Sequence, residues 1–158
     1  MVETPEHRLQ AMGLRLPSIL KPAGNLPGFK IDQGLIFVSG QLPLEDGQSR
    51  HVGKVGASVA AEEGNKAAAL AALNVVAQLK LATGGHLSRV REIVKLSGFV
   101  NCAPDFVDIG AVVDGASDLL VSVFGEQGRH ARFAIGVQSL PRGVPVEVEV
   151  IARLSNEE

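Results

Sequence analysis

The sequence predicts an α+β fold, a single domain in which a mixed β-sheet has two main helices packed on one face. Three observations support this prediction. Val146, Val148 and Val150 alternate with Glu147 and Glu149, which is the period of a half-buried strand. A long alanine-rich tract repeats its larger apolar residues at helical spacing. The patterns follow the order β-β-α-β-α-β-β, and strands separated by a helix favour a crossover and a partly parallel sheet.

The composition is that of a globular protein and argues against several functional classes. Of the 158 residues, 46% are apolar and 20% are charged, so the chain can form one domain with a substantial core. A net charge of -2 and the absence of Trp and Tyr argue against nucleic-acid binding. His7, His51 and His86 lack partners at metal-ligand spacing, so no metal site is predicted.

The expected location is cytoplasmic. Cys102 is the one cysteine, so no internal disulfide can form, in agreement with a reducing compartment. The N-terminus shows no basic region followed by an apolar run, as a signal peptide would. The longest apolar tract, at 67–81, contains polar residues and is too short to span a bilayer. We therefore expect no membrane association.

Residues 1–28 are predicted to form a short helix and an irregular extension, ahead of the main domain at 29–155. Thr4 is a suitable N-cap with Pro5 at the first helical position, and Gly13 would end the helix. Prolines and glycines follow closely, so the rest of the extension should be irregular. We expect a lid-like appendage, and the sequence leaves open whether it closes a cleft or packs outside it.

The first two strands are predicted at 29–32 and 35–39, joined in a hairpin by Gln33-Gly34. The second strand is apolar on both faces, so both faces should be covered. It ends in Ser39-Gly40-Gln41, where glycine would allow a ligand to approach the backbone closely. The polar, glycine-bearing segment at 43–56 is predicted to be a surface loop.

Two helices and a third strand follow. The main helix should run from Ser58 or Ala60 to about residue 82. The third strand is predicted at 93–100. A second helical region should then begin in the segment 101–106, with a break near Gly115, and end at Gly125. The apolar stripe of the main helix is predicted to consist of Leu70, Leu73, Ala77 and Leu81.

The last two strands are predicted at 129–137 and 145–152, joined by a turn at 140–143. We expect the two strands to be adjacent, so that Arg132 on one and Glu147 on the other could meet in one cleft. The alternative is a structural ion pair between Arg132 and Glu147 or Glu149.

Apolar side chains are expected on the sheet face that the helices do not cover. The segments that contribute them are 35–38, 93–100 and 131–137. Another copy of the chain would be the simplest cover for this face.

Several of these segments together resemble the signature of the RidA family, also called YjgF or L-PSP. The resemblance covers roughly residues 25–153, and the extended N-terminus and the stretches at 115–120 and 124–126 are similar to a longer branch of the family. The matching motifs are Ser39-Gly40-Gln41, Phe99-Val100-Asn101, Asp105-Phe106, Ala131-Arg132, Leu140-Pro141 and Val146-Glu147-Val148-Glu149.

The resemblance implies a chorismate-mutase-like fold and a homotrimer with ligand clefts between subunits. It also implies hydrolytic deamination of reactive enamines and imines, such as 2-aminoacrylate, to a 2-keto acid and ammonium, without a cofactor. By the same resemblance, Arg132 would bind the substrate carboxylate through its planar fork. Glu147 would orient water and accept its proton, and Ser39 and Gly40 would line the far side.

Three positions depart from the deaminase pattern. Phe133 and Ala134, which would also contact substrate, stand where the deaminases usually have Ser and Cys. Leu26 stands where they have a Tyr that closes over the substrate. These departures leave a second hypothesis open, a trimer that binds a small carboxylate without chemistry. A third is the endoribonuclease or translation-inhibitor activity that some family members are labelled with, which the acidic balance disfavours.

Overall fold

The structure is a computed structural model, and it describes residues 3–19 and 24–155. Residues 1, 2 and 20–23 of the predicted extension lie outside the described residues. The strands in this part are β1 (Phe29–Asp32), β2 (Leu35–Gln41), β3 (Leu44–Glu45), β4 (Gln48–Ser49), β5 (Val90–Asn101), β6 (Ala131–Val137) and β7 (Val146–Leu154). The α-helices are α1 (Pro5–Ala11), α2 (Ala61–Ala82) and α3 (Ile109–Phe124).

Five strands form one mixed sheet in the order β1-β2-β7-β5-β6. Strands β5 and β6 are parallel and every other neighbouring pair in this sheet is antiparallel. The predicted α+β class and element order are confirmed. Gln33 and Gly34 both have positive φ angles, 46° and 77°, as a tight hairpin turn requires. The segment at 43–56 differs from the prediction, because β3 and β4 pair there as a small hairpin.

The last two strands, β6 and β7, are not neighbours. Strand β5 lies between them, parallel to β6 on one edge and antiparallel to β7 on the other. The prediction that Arg132 and Glu147 occupy adjacent strands is therefore wrong. The reason is that α3 carries the chain back to place β6 parallel to β5 at the sheet edge. The connection that follows must then cross β5 to reach β7.

Helix α2 begins and ends close to the predicted residues, and its face against the sheet is alanine-rich. Of the predicted stripe, Leu73 and Ala77 are buried, Leu70 is partly buried, and Leu81 is 58% exposed. Leu81 was therefore wrongly assigned to the packed face. Small side chains elsewhere on α2 allow the sheet and α3 to approach closely.

Helix α3 differs from the prediction at its start and at Gly115. It begins at Ile109, with Asp108 at the N-cap position, because β5 continues to Asn101 and an irregular segment follows. No break occurs at Gly115. A Cβ at this residue would lie 2.8 Å from the carbonyl carbon of Asn65 on α2, and closer still to its oxygen. The glycine therefore serves helix–helix packing and does not interrupt the helix.

Helix α1 packs against α3 and the turn Leu87–Arg89, on the helical side of the molecule. Thr4 Oγ1 accepts a hydrogen bond from the His7 N–H (3.3 Å), as expected of an N-cap. Glu6 Oε1 accepts one from the Leu87 N–H (2.6 Å), and Leu9 is buried. These contacts fasten α1 to the helical layer. The division of the chain near residue 28 stays a prediction.

The sheet face opposite the helices carries uncovered aromatic side chains. Ile36 and Val38 are buried toward the helices, so Phe37 between them points to the other face, where it is 40% exposed. At the far edge, Phe133 is 37% exposed and packs edge-to-face on Phe99, with ring centroids 5.6 Å apart. The sequence predicts that both faces of β2 are covered. Within the described residues of one chain, the face that carries Phe37 is left partly exposed.

The close contact at Gly115 predicts the effect of adding a methyl group. Gly115→Ala should lower the free energy of unfolding by about 1–3 kcal/mol, because the new Cβ overlaps the α2 backbone. Gly110→Ala on the same helix is the matched control. Its Cβ would meet only Arg132 Nη2 at 3.5 Å, so the gain in helix propensity should leave stability unchanged or higher. Urea unfolding of both variants measures the difference, and equal stabilities would contradict this account of Gly115.

Candidate functional site

A cavity of about 390 Å³ lies at the end of β2. Its walls come from the segment before β1, the end of β2, the middle of α2, the turn after β6 and the start of β7. The volume is within the range of sites that hold small molecules. Ser39, Gly40 and Glu147, three of the residues predicted to act at the site, line it together.

Glu147 reaches this cavity across Gly40. A Cβ at Gly40 would lie 3.1 Å from Glu147 Cδ and closer still to Oε1, so a larger residue would displace the carboxylate from this position. The pairing of β2 with β7 is irregular at this place, with a register shift between Val38 and Gln41. Such a bulge redirects side chains at the end of a strand. The glycine and the irregularity together determine where the carboxylate lies.

The environment of Glu147 raises the pKa of its carboxyl group above the ordinary value. Partial burial is the larger cause, and the negative charge of Glu149 is the smaller one. Both glutamates lie on the same face because β7 alternates its side chains. A carboxylate whose pKa is raised toward neutral pH is a stronger base than an ordinary one, and it can take a proton from water and return it.

Ser39 links the cavity wall to the segment before β1. Its Oγ donates to the Pro27 carbonyl (2.7 Å), and its N–H donates to the Gly28 carbonyl (3.0 Å). The hydroxyl is therefore used to hold this segment in place, besides lining the cavity as predicted. Leu26, also in the lining, is 67% exposed, and it brings no hydroxyl to the cavity wall.

Gln78 on α2 is a cavity residue that sequence reasoning missed. It is 5% exposed, and its Oε1 has no hydrogen-bond partner among the described residues. Asn74, one turn earlier, lines the same cavity but donates to the carbonyls of Leu44 (2.9 Å) and Leu70 (3.0 Å). Two amides four residues apart in an alanine-rich helix were the available signal.

Arg142 is a second cavity residue that was missed as a site residue. It lies in the turn after β6 with φ at 57°, and its Nη1 donates to the Gly47 carbonyl (3.0 Å). Among the described residues it forms no ion pair with a carboxylate. A guanidinium in this state can bind an anion in the cavity. The signal in the sequence was a basic turn residue five positions before Glu147.

Arg132 lies elsewhere, on the helical face of the edge strand β6. Its Nη1 donates to Asp114 Oδ1 (2.7 Å) and to Ser117 Oγ (3.2 Å), both on α3. Ser117 Oγ also lies 3.0 Å from His130 Nε2. The ion pair that was considered with Glu147 or Glu149 does not occur within one chain, since the partner of Arg132 is Asp114.

Phe133 and Ala134 follow Arg132 but point to opposite faces of β6. Ala134 shares the face of Arg132 and packs against the core. Phe133 points to the open face, where Lys95 Nζ lies 5.1 Å from its ring centroid. Neither residue lines the cavity of Glu147. Within one chain, the predicted site is therefore divided between two places.

A larger depression of about 700 Å³ contains Cys102 and Lys54. Lys54 Nζ already donates to Asn101 Oδ1 (2.7 Å) and to the Gln138 carbonyl, so two of its three donors are used within the chain. In residues 3–19 and 24–155, no group of three His, Cys, Asp or Glu side chains could hold a metal ion. None of the helices in these ranges has the length and hydropathy of a membrane span.

The fold and the glutamate-bearing cavity define a chorismate-mutase-like α+β protein. The family model described as YjgF/chorismate mutase-like, putative endoribonuclease, matches residues 6–154. The chain therefore belongs to the YjgF/RidA family.

Three relatives show the extent of the similarity. Protein TCP17 of Trypanosoma cruzi is 46% identical over 149 residues, which are 94% of this chain and 92% of that protein. The crystal structure of Atu1372 from Agrobacterium tumefaciens, described as having unknown function, is 43% identical with a TM-score of 0.90, covering 96% of this chain and 92% of that one. A putative endoribonuclease from Shewanella oneidensis MR-1 is 39% identical with a TM-score of 0.92, covering 96% and 99%.

The raised pKa of Glu147 predicts a pH-dependent loss of stability. Because the folded state binds this proton more tightly than the unfolded state, the wild type should lose stability as pH rises from about 4.5 through the folded pKa. Glu147→Gln lacks this titration, so its stability relative to the wild type should increase over that window and then stay constant.

Carboxyl NMR titration measures the same pKa directly, and Glu149→Gln is the informative comparison. Removing the neighbouring charge should lower the pKa of Glu147 but leave it above the ordinary value, because burial is the larger cause. An ordinary pKa for Glu147 in the wild type would contradict this account of the site.

Proposed function

We propose that this protein hydrolyses small enamines and imines that carry a carboxylate, of the 2-aminoacrylate type, to a 2-keto acid and ammonium. The observation that carries the proposal is the Glu147 carboxylate, half-buried, with a raised pKa, in a cavity of suitable size. Membership in the YjgF/RidA family supports it.

The chemistry requires one group that moves protons. The enamine first takes a proton from solvent on its terminal carbon and becomes the protonated imine. Water then adds to the imine carbon while Glu147 accepts one of its protons. Glu147 returns that proton to the nitrogen, the C–N bond breaks to release ammonia, and the hydroxyl proton passes to the ammonia as the carbonyl forms. The products are a 2-keto acid and ammonium, and no oxidant or cofactor is consumed.

The substrate carboxylate needs a cation, and Arg132 is the family candidate. In one chain it lies on the other face of the sheet from Glu147. Strand β6 is an edge strand with exposed apolar side chains, so a second copy could bring its Arg132 to this cavity. We therefore propose a homotrimer with clefts between copies, in which each cleft uses one chain's Glu147 and another chain's Arg132. A cytoplasmic location also stays a prediction.

Mixing two inactive variants tests this arrangement. Arg132→Ala and Glu147→Gln should each lose ammonia release from 2-aminoacrylate, which a pyridoxal-phosphate dehydratase generates in the assay. When equal amounts are unfolded and refolded together, random trimers should recover about one quarter of wild-type activity, because a quarter of the clefts then contain both native groups.

The controls separate catalysis from assembly. Arg129→Ala, which removes an exposed arginine paired only with Glu126 in the described structure, should keep full activity. Light scattering should show the same assembly for all variants. If the mixture stays inactive while refolded wild type turns over, no cleft combines Arg132 of one chain with Glu147 of another, and Arg142 in the Glu147 cavity becomes the carboxylate partner.

A non-catalytic carboxylate-binding protein is the second candidate. The observation that favours it is Leu26, which is exposed at the cavity and has no hydroxyl to position water or substrate. Binding of 2-oxobutyrate without any ammonia release, over a range of imines, would establish this function in place of the first.

The names given to the family and to the Shewanella oneidensis relative favour a ribonuclease as a further candidate. A net charge of -2 opposes it, since RNA binding depends on cationic surface and weakens steeply with salt. We expect no RNA cleavage and no salt-dependent RNA binding. If the wild type cleaves single-stranded RNA and Glu147→Gln or Arg132→Ala abolishes that cleavage, this conclusion is reversed.

A further inference from the structure

We propose that Gln78 selects substrates whose side chain ends in a hydrogen-bond donor, such as a hydroxyl group. The inference rests on the proposed function in one respect, the assumption that the ligand is a 2-imino or 2-keto acid. It adds the chemical class of the substrate side chain, which neither Arg132 nor Glu147 determines.

The first observation is the unpaired oxygen of Gln78. This side chain lines the cavity of Glu147 and is only 5% exposed. No group among the described residues donates a hydrogen bond to its Oε1. A buried amide oxygen without a donor is unfavourable. An apolar residue would avoid this penalty at a position flanked by Ala77 and Leu79. A donor from a bound ligand would remove it.

The second observation is the contrast with Asn74, one helical turn away in the same cavity wall. Its amide is used structurally, because Nδ2 bonds to the carbonyls of Leu44 and Leu70. Gln78 has no such role for its oxygen. The two amides share an environment, so the difference between them identifies Gln78 as the one free to bind a ligand.

The third observation concerns access to the oxygen. Gly28 lies against the Gln78 amide: a Cβ there would be 2.8 Å from Gln78 Cδ and closer still to Oε1, so the oxygen faces the Gly28 backbone. The terminal torsion of Gln is soft, and no hydrogen bond to Oε1 restrains it. The amide can therefore turn its oxygen toward a ligand without breaking a protein hydrogen bond at that atom.

Isosteric ligand pairs test the proposal by calorimetric titration. Hydroxypyruvate and 2-oxobutyrate have the same number of chain atoms and differ by a hydroxyl in place of a methyl group. 4-Hydroxy-2-oxobutyrate and 2-oxopentanoate form the pair one atom longer. In at least one pair, the wild type should bind the hydroxyl ligand about tenfold more tightly. In Gln78→Leu the two members should bind within about twofold of each other.

Stability distinguishes a ligand-binding role from a structural one. Gln78→Leu removes an unpaired polar group, so its thermal midpoint should rise by about 2–4 °C, whereas loss of a structural contact would lower it. Gln127→Leu, at an exposed position in the turn Gly125–Gly128, is the control for the same substitution and should change neither the preference nor the midpoint.

The outcomes separate this inference from the proposed function. A hydroxyl preference without ammonia release from any imine would overturn the deaminase proposal and keep the role of Gln78. Turnover of an imine without any hydroxyl preference would overturn the role of Gln78 and keep the deaminase proposal. Three results would overturn the assignment of Gln78: equal affinities in both pairs, a preference that persists in Gln78→Leu, or no binding of any of the four acids. Equal affinities would mean that an ordered water satisfies the oxygen.

Discussion

The hydrogen-bonded pairing of β5 with two strands at once determines where the candidate functional side chains lie. Leu96 of β5 pairs with Arg132, and Phe99 pairs with Glu147. Residues three apart on a regular strand point to opposite faces, so the guanidinium and the carboxylate lie on opposite sides of the sheet. No change of rotamer can bring them together within one chain. A site that uses both must therefore be completed by a second copy.

Small residues let the helices approach this sheet and thereby shape the cavity. Gly98 on β5 lies beneath Val113 of α3, so closely that a Cβ there would be 2.5 Å from Val113 Cγ1. Gly115 makes the corresponding close contact with α2. With α2 held in this position, Asn74 bonds to the Leu44 carbonyl and joins the helix to β3. Gln78, one turn later, is then placed at the cavity wall as a consequence of the same packing.

The sequence predicted the elements well, and it predicted their neighbours less well. Alternation and helical spacing depend on local burial, so β7 and α2 were identified from pattern alone. Strand adjacency depends on how a crossover closes, and the short connection between β6 and β7 suggested a pairing that β5 prevents. Gly40 and Glu147 were predicted through resemblance and do meet. Gln78 and Arg142 were missed because polar residues in helices and turns are usually exposed, and only the fold places them at a cavity.

Two side-chain groups in energetically unfavourable environments lie together at this cavity. The Glu147 carboxyl is partly desolvated beside Glu149, and the Gln78 oxygen lacks a donor within the described residues. Elsewhere in that part of the chain, buried polar groups are satisfied, as Thr83 Oγ1 is by the Leu79 carbonyl at 2.8 Å. An unpaired buried oxygen costs about 1–3 kcal/mol, and a single substitution to Leu would remove it. Selection for stability alone would remove such groups. They are therefore expected where a bound ligand supplies the missing interactions.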